Sequence, residues 1–406
     1  RFSHLTVHNL NTIEDIDNCE VANSDSFSEF IIIDGILGTG INGKLRENIK
    51  RAIEVINSSN GLTISVDVPS GLDPLTGQIH DVAVKPQYTV SFHKVKTGIH
   101  KAGEEKVGGI VTCDIGIPIE AEYFINHGDM IKLNKRSLKS HKGNNGKVLI
   151  VGGSKEYSGA PSIAGLAAIG AGADLVYVAA PESAALAIST HPDLIVNSLK
   201  GDYLTAIHAE EILKMADKVD AVLLGPGAGI NDETGKLLNI LASKIKKPLV
   251  LDADALKQVK PQIIKNRDDV ILTPHIFEFK SFFGKDIKLD LDSYDFAEVD
   301  ENISEFQQVV KQISGAVVVK GAIDLVIQKN KFKLNKSGNP GMTVGGTGDA
   351  LAGIATSLLS KGLNAFDAAT LAIFINGLAG DEAYLEKGYG FGATDVVAHI
   401  GKVIKG

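Results

Sequence analysis

Short runs of β-branched and aromatic residues alternate with helical patterns along almost the whole chain, which commits it to an α/β architecture on mainly parallel sheet. In the first part, strands are predicted at Phe30–Ile33, Leu62–Val66, Tyr88–Phe92 and Ile110–Cys113. Between the first two, Leu45, Ile49, Ile53 and Ile56 fall on one face of a helix. The series stops at Asp114-Ile115-Gly116-Ile117-Pro118, and the basic stretch through Lys132, Lys135, Arg136, Lys139 and Lys142 reads as a linker. A second series runs through Val148–Val151, Leu175–Val178, Ala221–Leu224, Pro248–Leu251, Val270–Thr273 and Val317–Lys320. Leu325–Gln328 and Lys331–Leu334 read as a hairpin, so this sheet is not purely parallel. Two Ala-rich helices, Asp349–Ser360 and Ala365–Glu386, follow, and the acidic insert Asp286–Glu301 is expected to be a solvated loop or lid edge. At 406 residues the chain exceeds what one core usually holds, so two domains are expected, residues 1–130 and 131–406.

Composition narrows the function. A net charge of −8 gives no electrostatic case for nucleic acid or for an anionic membrane surface. Two cysteines, Cys19 and Cys113, are too few for a disulfide framework or a thiolate metal site, and a cytoplasmic setting fits. The start, Arg1-Phe2-Ser3-His4, has neither an apolar signal core nor an initiator Met, so it reads as neither a signal peptide nor an intact native start. The small-residue stretch Ala160–Ile188 is interrupted by Asp174, Pro181 and Glu182, and reads as a helix and a buried strand rather than a membrane span.

The most specific local signal is Gly345-Gly346-Thr347-Gly348-Asp349, ahead of a helix. Backbone N–H groups in such a turn approach an anion closely, and the helix points its positive end at the same place. A carboxylate at the mouth of that anion hole can take a proton from a hydroxyl while a phosphoryl group lands beside it. Asp349 could instead cap the helix, but the glycine lead is more open than a cap requires, so the base is favoured. The reading is phosphoryl transfer to an alcohol.

Other strand ends of the second domain carry turn chemistry. Gly152-Gly153-Ser154, Tyr157-Ser158-Gly159-Ala160-Pro161 and Gly225-Pro226-Gly227-Ala228-Gly229 are each weak alone and harder to dismiss together. Asp252-Ala253-Asp254 and Thr273-Pro274-His275 with Glu278 end two further strands. For Glu278, a capping or turn role and a place near Mg²⁺ both stay open. Lys320 could reach a phosphate or simply leave its strand for solvent. In the first domain, Asp34-Gly35-Ile36-Leu37-Gly38-Thr39-Gly40 lies between a strand and a helix, as a phosphate cradle does. Asp67-Val68-Pro69-Ser70-Gly71 sets a carboxylate and a hydroxyl close enough to share a cation or a substrate.

The Gly-x-Gly-Asp turn after a Gly-Pro-Gly-x-Gly loop resembles the ribokinase superfamily. More narrowly, His141-Lys142-Gly143 and the second-domain motifs above, in family order across about residues 138–406, resemble the NAD(P)HX dehydratases. The first domain is similar to the second half of the NAD(P)HX epimerases through Asp34–Gly40, Asp67–Gly71, Phe92–Lys96 with Gly98, and Asp114–Pro118. The resemblance implies a partial Rossmann-like first domain and a ribokinase-like second domain. The fused pair would restore NADH and NADPH that have taken up water across the nicotinamide ring.

In the implied dehydratase, Asp349 is the base, and ADP (favoured) or ATP with Mg²⁺ activates the ring hydroxyl of the 6S hydrate. Ala160, Gly229, His275 and Asp349 would touch the dinucleotide hydrate. Lys320, Gly321, Ala322, Ile323, Asp324 and Gly348 would line the nucleotide, and Glu278 would stand near magnesium. In the implied epimerase, Asp34 and Ser70 match positions that hold potassium. Gly38, Thr39, Gly40, Ile41, Asn42, Gly43, Lys44 and Asp67 match substrate contacts. Two departures stand out. The epimerases' Asn-Asn-Gly-Gly-Asp loop is not found upstream, so the first domain is expected to be incomplete. Ile276 and Phe277 replace the Pro and Gly usual after the His of the Thr-Pro-His motif. A small-alcohol kinase and a non-enzymatic dinucleotide binder are the competing readings. A homo-oligomer is expected, in which the Ala-rich helices face either a sister subunit or the core.

Overall fold

The computed structural model describes residues 31–38, 40, 44–118, 120–133, 136–285 and 296–405. They form two compact units that divide between Pro118 and Ile119 rather than at residue 130. The reason is local: Ile125 N–H donates to the Leu334 carbonyl, and Phe124 bridges to Leu334, so this stretch packs with the second unit.

The first unit is a four-stranded parallel sheet of β1 (Ile31–Asp34), β2 (Leu62–Val66), β3 (Tyr88–Phe92) and β4 (Gly109–Cys113), in that spatial order. The strands match the sequence reading to within a residue; Phe30 lies outside the described residues. The helix Glu47–Ser58 buries Ala52 and Ile53, while Leu45 falls before its start. Val68, Leu72, Ile99, Ala102 and Val107 make a small core on the side of the sheet that buries Thr63, Ser65, Thr89 and Ser91.

The second unit holds a nine-stranded sheet in the order β13-β12-β11-β10-β9-β8-β5-β6-β7. Its strands are β5 (Lys147–Val151), β6 (Leu175–Pro181), β7 (Leu194–Leu199), β8 (Ala221–Leu224), β9 (Leu249–Leu251), β10 (Val270–Leu272), β11 (Ala316–Val319), β12 (Asp324–Gln328) and β13 (Lys331–Asn335). Seven are parallel, and the hairpin β12–β13 adds an antiparallel edge as expected. β7 was not foreseen: Leu194 and Leu199 are buried, but the residues between them are not, which weakens its apolar signal.

Each face of this sheet buries its own apolar cluster. One is filled by the helices Gly159–Gly170, Thr347–Ser360 and Ala365–Lys387, whose small side chains allow close packing. The two Ala-rich helices therefore face the core, the second of the two alternatives left open. No helix among the described residues is long and apolar enough to cross a membrane.

Two expectations need correction. The stretch around residues 132–142 is not a free linker. Lys132 pairs with Asp367 at 2.7 Å, Arg136 donates to the Gly172 carbonyl, and Asp174 accepts the N–H groups of Gly143 and Asn145. Nor is the acidic insert a loop throughout, since a helix runs over Phe296–Val310 and buries Ile303, Phe306, Val309 and Val310. Residues 286–295 lie outside the described part.

Candidate active site

The chain leaves β5 outward through β6 and β7, then returns to the other side of β5 for β8, β9, β10 and β11. Where winding reverses in this way, loops diverge and a crevice opens at the carboxyl ends of the strands. The motifs singled out in the second domain sit on these ends. Gly153 N–H donates to the Pro226 carbonyl at 2.9 Å, joining the loops after β5 and β8. Ala160 is in the first turn of the Gly159–Gly170 helix, and Gly229 N–H donates to Asp254 Oδ2 at 2.9 Å.

Asp349 lies in the first turn of the Thr347–Ser360 helix. No side chain caps that helix; its cap residue is Gly346 at φ 99°, a left-handed conformation that calls for glycine. The helix thus begins with backbone N–H groups that have no intrahelical partner, as an anion site requires. Asp349 is not the cap, which removes its bland reading. Burial, with Asp252 and Asp254 nearby, pushes its carboxyl up to about 7, while Lys320 opposes the shift. A carboxylate poised there is matched to proton abstraction near neutral pH.

Lys320 reaches this carboxylate group from the end of β11. Its backbone N–H donates to the Pro274 carbonyl at 2.9 Å, which seats the loop after β11 beside His275. Its ammonium lies 3.5 Å from Asp252 Oδ1, and the same oxygen accepts from Thr273 Oγ1 at 2.7 Å. Gly348 meets Lys320 as well: a Cβ at 348 would stand 3.2 Å from that nitrogen. Gly321 and Ala322 are exposed and Ile323 is half-buried. Asp324 turns inward instead, accepting from Gly321 N–H at 3.0 Å and from Asn335 Nδ2 at 2.9 Å. Burial pushes its carboxyl up to about 6. It holds the loop rather than lining it.

His275 caps the helix Ile276–Phe283 with its own ring, Nδ1 accepting from the N–H groups of Phe277 and Glu278. Its hydrogen therefore belongs on Nε2. Glu278 completes the box by accepting His275 N–H at 3.0 Å, and its other oxygen is 3.4 Å from Nε2 and 3.9 Å from Lys257. The buried Glu278 carboxylate is thus committed to the cap and to His275. No cluster of three or more metal-ligating side chains occurs among the described residues. A magnesium ion carried by nucleotide phosphates fits, because such ions need only one or two carboxylates.

In the first unit, the structure brings Asp34 and Ser70 together. Asp34 Oδ2 accepts from Ser65 Oγ and Ser70 N–H, and its Oδ1 accepts from Ser70 Oγ at 2.6 Å. Ser70 Oγ in turn accepts from Leu37 N–H. Ser70 Oγ and Asp34 Oδ1 are hydrogen-bonded to each other, so a potassium ion here needs further oxygen ligands beyond this pair. Asp67, at φ 67°, pairs with Lys96 and accepts Phe92 N–H. Both line a groove of about 660 Å³ together with Phe92, His93, Ile115 and Ile117. Gly38, Gly40 and Lys44 are exposed and do not line it. Thr39, Ile41, Asn42 and Gly43 lie outside the described residues. In the sequence Lys96 stands only as the end of the Phe92–Lys96 motif, with no role of its own. The signal was the adjacency of β2 and β3, whose ends place Asp67 against Lys96.

The NAD(P)H-hydrate dehydratase family model matches residues 148–402, and that of the YjeF-related protein N-terminus matches residues 3–98. A bifunctional NAD(P)H-hydrate repair enzyme from Methanothermobacter thermautotrophicus is 46% identical over 392 residues, covering 96% of this chain and 74% of that protein. A ribokinase-like superfamily protein from Enterococcus faecalis superposes with a TM-score of 0.60 at 22% identity, over 70% of this chain and 95% of that one. An ADP/ATP-dependent NAD(P)H-hydrate dehydratase from Bacillus subtilis, co-crystallised with ATP/Mg²⁺, gives a TM-score of 0.55 at 22% identity, over 72% and 99% of the two chains. These two likenesses establish the ribokinase-like fold of the second unit; the identity to the archaeal relative carries further, and the chain belongs to the bifunctional NAD(P)H-hydrate repair enzyme family.

Proposed function

We propose that the second unit dehydrates the 6S hydrate of NADH and NADPH at the expense of a nucleotide, with ADP favoured over ATP. The observation that carries this is Asp349, half-buried at an uncapped helix start, its carboxyl raised to about 7 beside Lys320. Asp349 takes the proton of the ring hydroxyl as that oxygen forms its bond to the terminal phosphorus and the bridging P–O bond breaks. The phosphorylated oxygen then leaves as phosphate, pushed by the neighbouring ring nitrogen, and loss of the adjacent ring proton restores the double bond. Lys320 and the N–H groups at the start of the Thr347–Ser360 helix hold the phosphates. Magnesium, when bound with the nucleotide, neutralises phosphate charge. Ala160, Gly229 and His275 contact the hydrate; Gly321, Ala322, Ile323 and Gly348 contact the nucleotide, and Asp324 keeps their loop in shape. Glu278 orients His275.

The first unit is the epimerase half of this reading, interconverting 6R and 6S hydrates in the groove that Asp67 and Lys96 share. Asp34 and Ser70 order the loop at Leu37, and a potassium ion held there would need oxygen ligands beyond this pair. The kinase alternative is set aside, because a relative at 46% identity is a repair enzyme. The expected homo-oligomer gains no support from the Ala-rich helices, which face the core. A cytoplasmic setting rests on the two cysteines alone.

The test is recovery of nicotinamide absorbance from mixed 6R and 6S hydrates of NADH with ADP, with ATP and with neither. Recovery that requires a nucleotide is expected. Rapid completion reports a working epimerase, and a stall at the 6S fraction reports an idle one. No recovery under any condition would overturn the dehydratase reading.

A further inference from the structure

The helix Ile276–Phe283 carries four apolar side chains inward and one outward. Ile276 packs against the second core cluster, and Phe279, Phe282 and Phe283 are buried. Phe277 is 74% exposed. Among the large apolar residues at these strand ends it is more open than Tyr157, Ile230 or Val344. Its backbone is not loose, since its N–H is bonded to His275 Nδ1. Its ring stands 6.0 Å from the His275 ring at an interplanar angle of 72°. The segment bearing His275 bridges to Lys320, so Phe277 borders the proposed hydrate contact and lies one strand from the proposed nucleotide loop.

An exposed phenyl ring beside a polar crevice gains free energy when a flat apolar group covers it. Both substrates of the proposed reaction supply such a group. The hydrated nicotinamide ring has lost its planarity, whereas the purine of the nucleotide and the adenine of the dinucleotide have not. We propose that Phe277 is a specificity-determining stacking platform for a purine base at the mouth of this site. The inference rests on the functional reading above for its choice of ligands. The helical phase of the surrounding phenylalanines supports it on its own: the same helix buries its other three rings and leaves this one beside His275.

The experiment is calorimetric titration of ADP, ATP and NADH, separately, into the wild type and the variants Phe277→Ala, Phe277→Leu and Phe277→Trp. Base–aromatic stacking predicts that Phe277→Ala weakens one ligand class roughly 5- to 30-fold and leaves the other within about twofold. Loss confined to ADP and ATP assigns the nucleotide's purine; loss confined to NADH assigns the dinucleotide's adenine. Phe277→Trp should bind at least as tightly as the wild type, and Phe277→Leu should recover only part of the loss. Unchanged affinity for all three ligands in Phe277→Ala would overturn the proposal, as would full recovery in Phe277→Leu. Hydrate turnover is measured in parallel. A wild type that binds these ligands but never recovers absorbance overturns the dehydratase reading and leaves the stacking claim to the titrations. A wild type that binds none of them overturns both.

Discussion

The ammonium of Lys320 lies 3.5 Å from Asp252 Oδ1 and opposes the burial that raises the Asp349 carboxyl. Removing that charge removes the restraint. Lys320→Met should therefore move the acidic limb of the rate–pH profile from about 7 to higher pH. It should also raise the nucleotide KM by roughly 10- to 100-fold, the range of a lost charge-assisted bond. A pH series on wild type and variant checks both effects.

Asp349→Asn should lower turnover by roughly 10²- to 10⁴-fold, as loss of a general base does, while the nucleotide still binds. Turnover that survives this change would remove Asp349 from the mechanism. The same variant gives a stability test. A carboxyl raised from 3.8 to about 7 keeps its proton in the fold after the unfolded chain has lost it. Wild-type stability should then decline from about pH 4 to about pH 7, by up to about 4 kcal/mol. Asp349→Asn lacks that decline, so thermal melts of the two proteins should diverge as pH rises.

Asp324→Ala leaves Gly321 N–H and Asn335 Nδ2 without the acceptor they now share. The second unit should lose about 1.5–3 kcal/mol, the range of a lost hydrogen bond to a charged group. The nucleotide KM should rise with little change in the hydrate KM, because only the loop after β11 is released. Denaturant melts with paired steady-state kinetics distinguish this from general unfolding.

Asp34→Ala removes the acceptor for three donors in the first unit, the Oγ of Ser65 and the N–H and Oγ of Ser70. About 3 kcal/mol of that unit's stability should go. Dehydration of the 6S hydrate should be unaffected, since Asp349 and its partners belong to the other unit.

Lys96→Met should likewise spare 6S dehydration, and any rapid consumption of the 6R hydrate should be lost. Separate assays on the resolved hydrates check this. A fall in both rates would remove the assignment of Lys96 to epimerisation.

Much of this architecture was legible because parallel strands buried on both faces read as continuous apolar runs. Ala221–Leu224 was bounded to the residue for that reason, whereas Leu62–Val66 alternates apolar and hydroxyl side chains and was legible by its β-branched content. β7 escaped because only Leu194 and Leu199 are buried in it. The helix at Phe296 was masked by the acidic residues before and within it, which dominate the local composition. In the site, the glycine turn before Asp349 announced itself, since few other needs produce that spacing. The inward turn of Asp324 could not be read, because its partner Asn335 belongs to the far strand of a hairpin. The pairing of Lys320 with Asp252 joins residues far apart in sequence, and only the order of β9, β10 and β11 brings them together.

That order has a consequence for how activity can be lost. The reacting groups come one or two at a time from the ends of five adjacent strands, β5, β8, β9, β10 and β11, and from a helix beyond the hairpin. No short fragment contains even half of them. Each is placed by its strand's register against the next, and neighbouring strands share the same buried layers. Damage that frees a central strand therefore does not trim the site but dissolves it, so functional decline and cooperative unfolding of this sheet should coincide rather than follow one another.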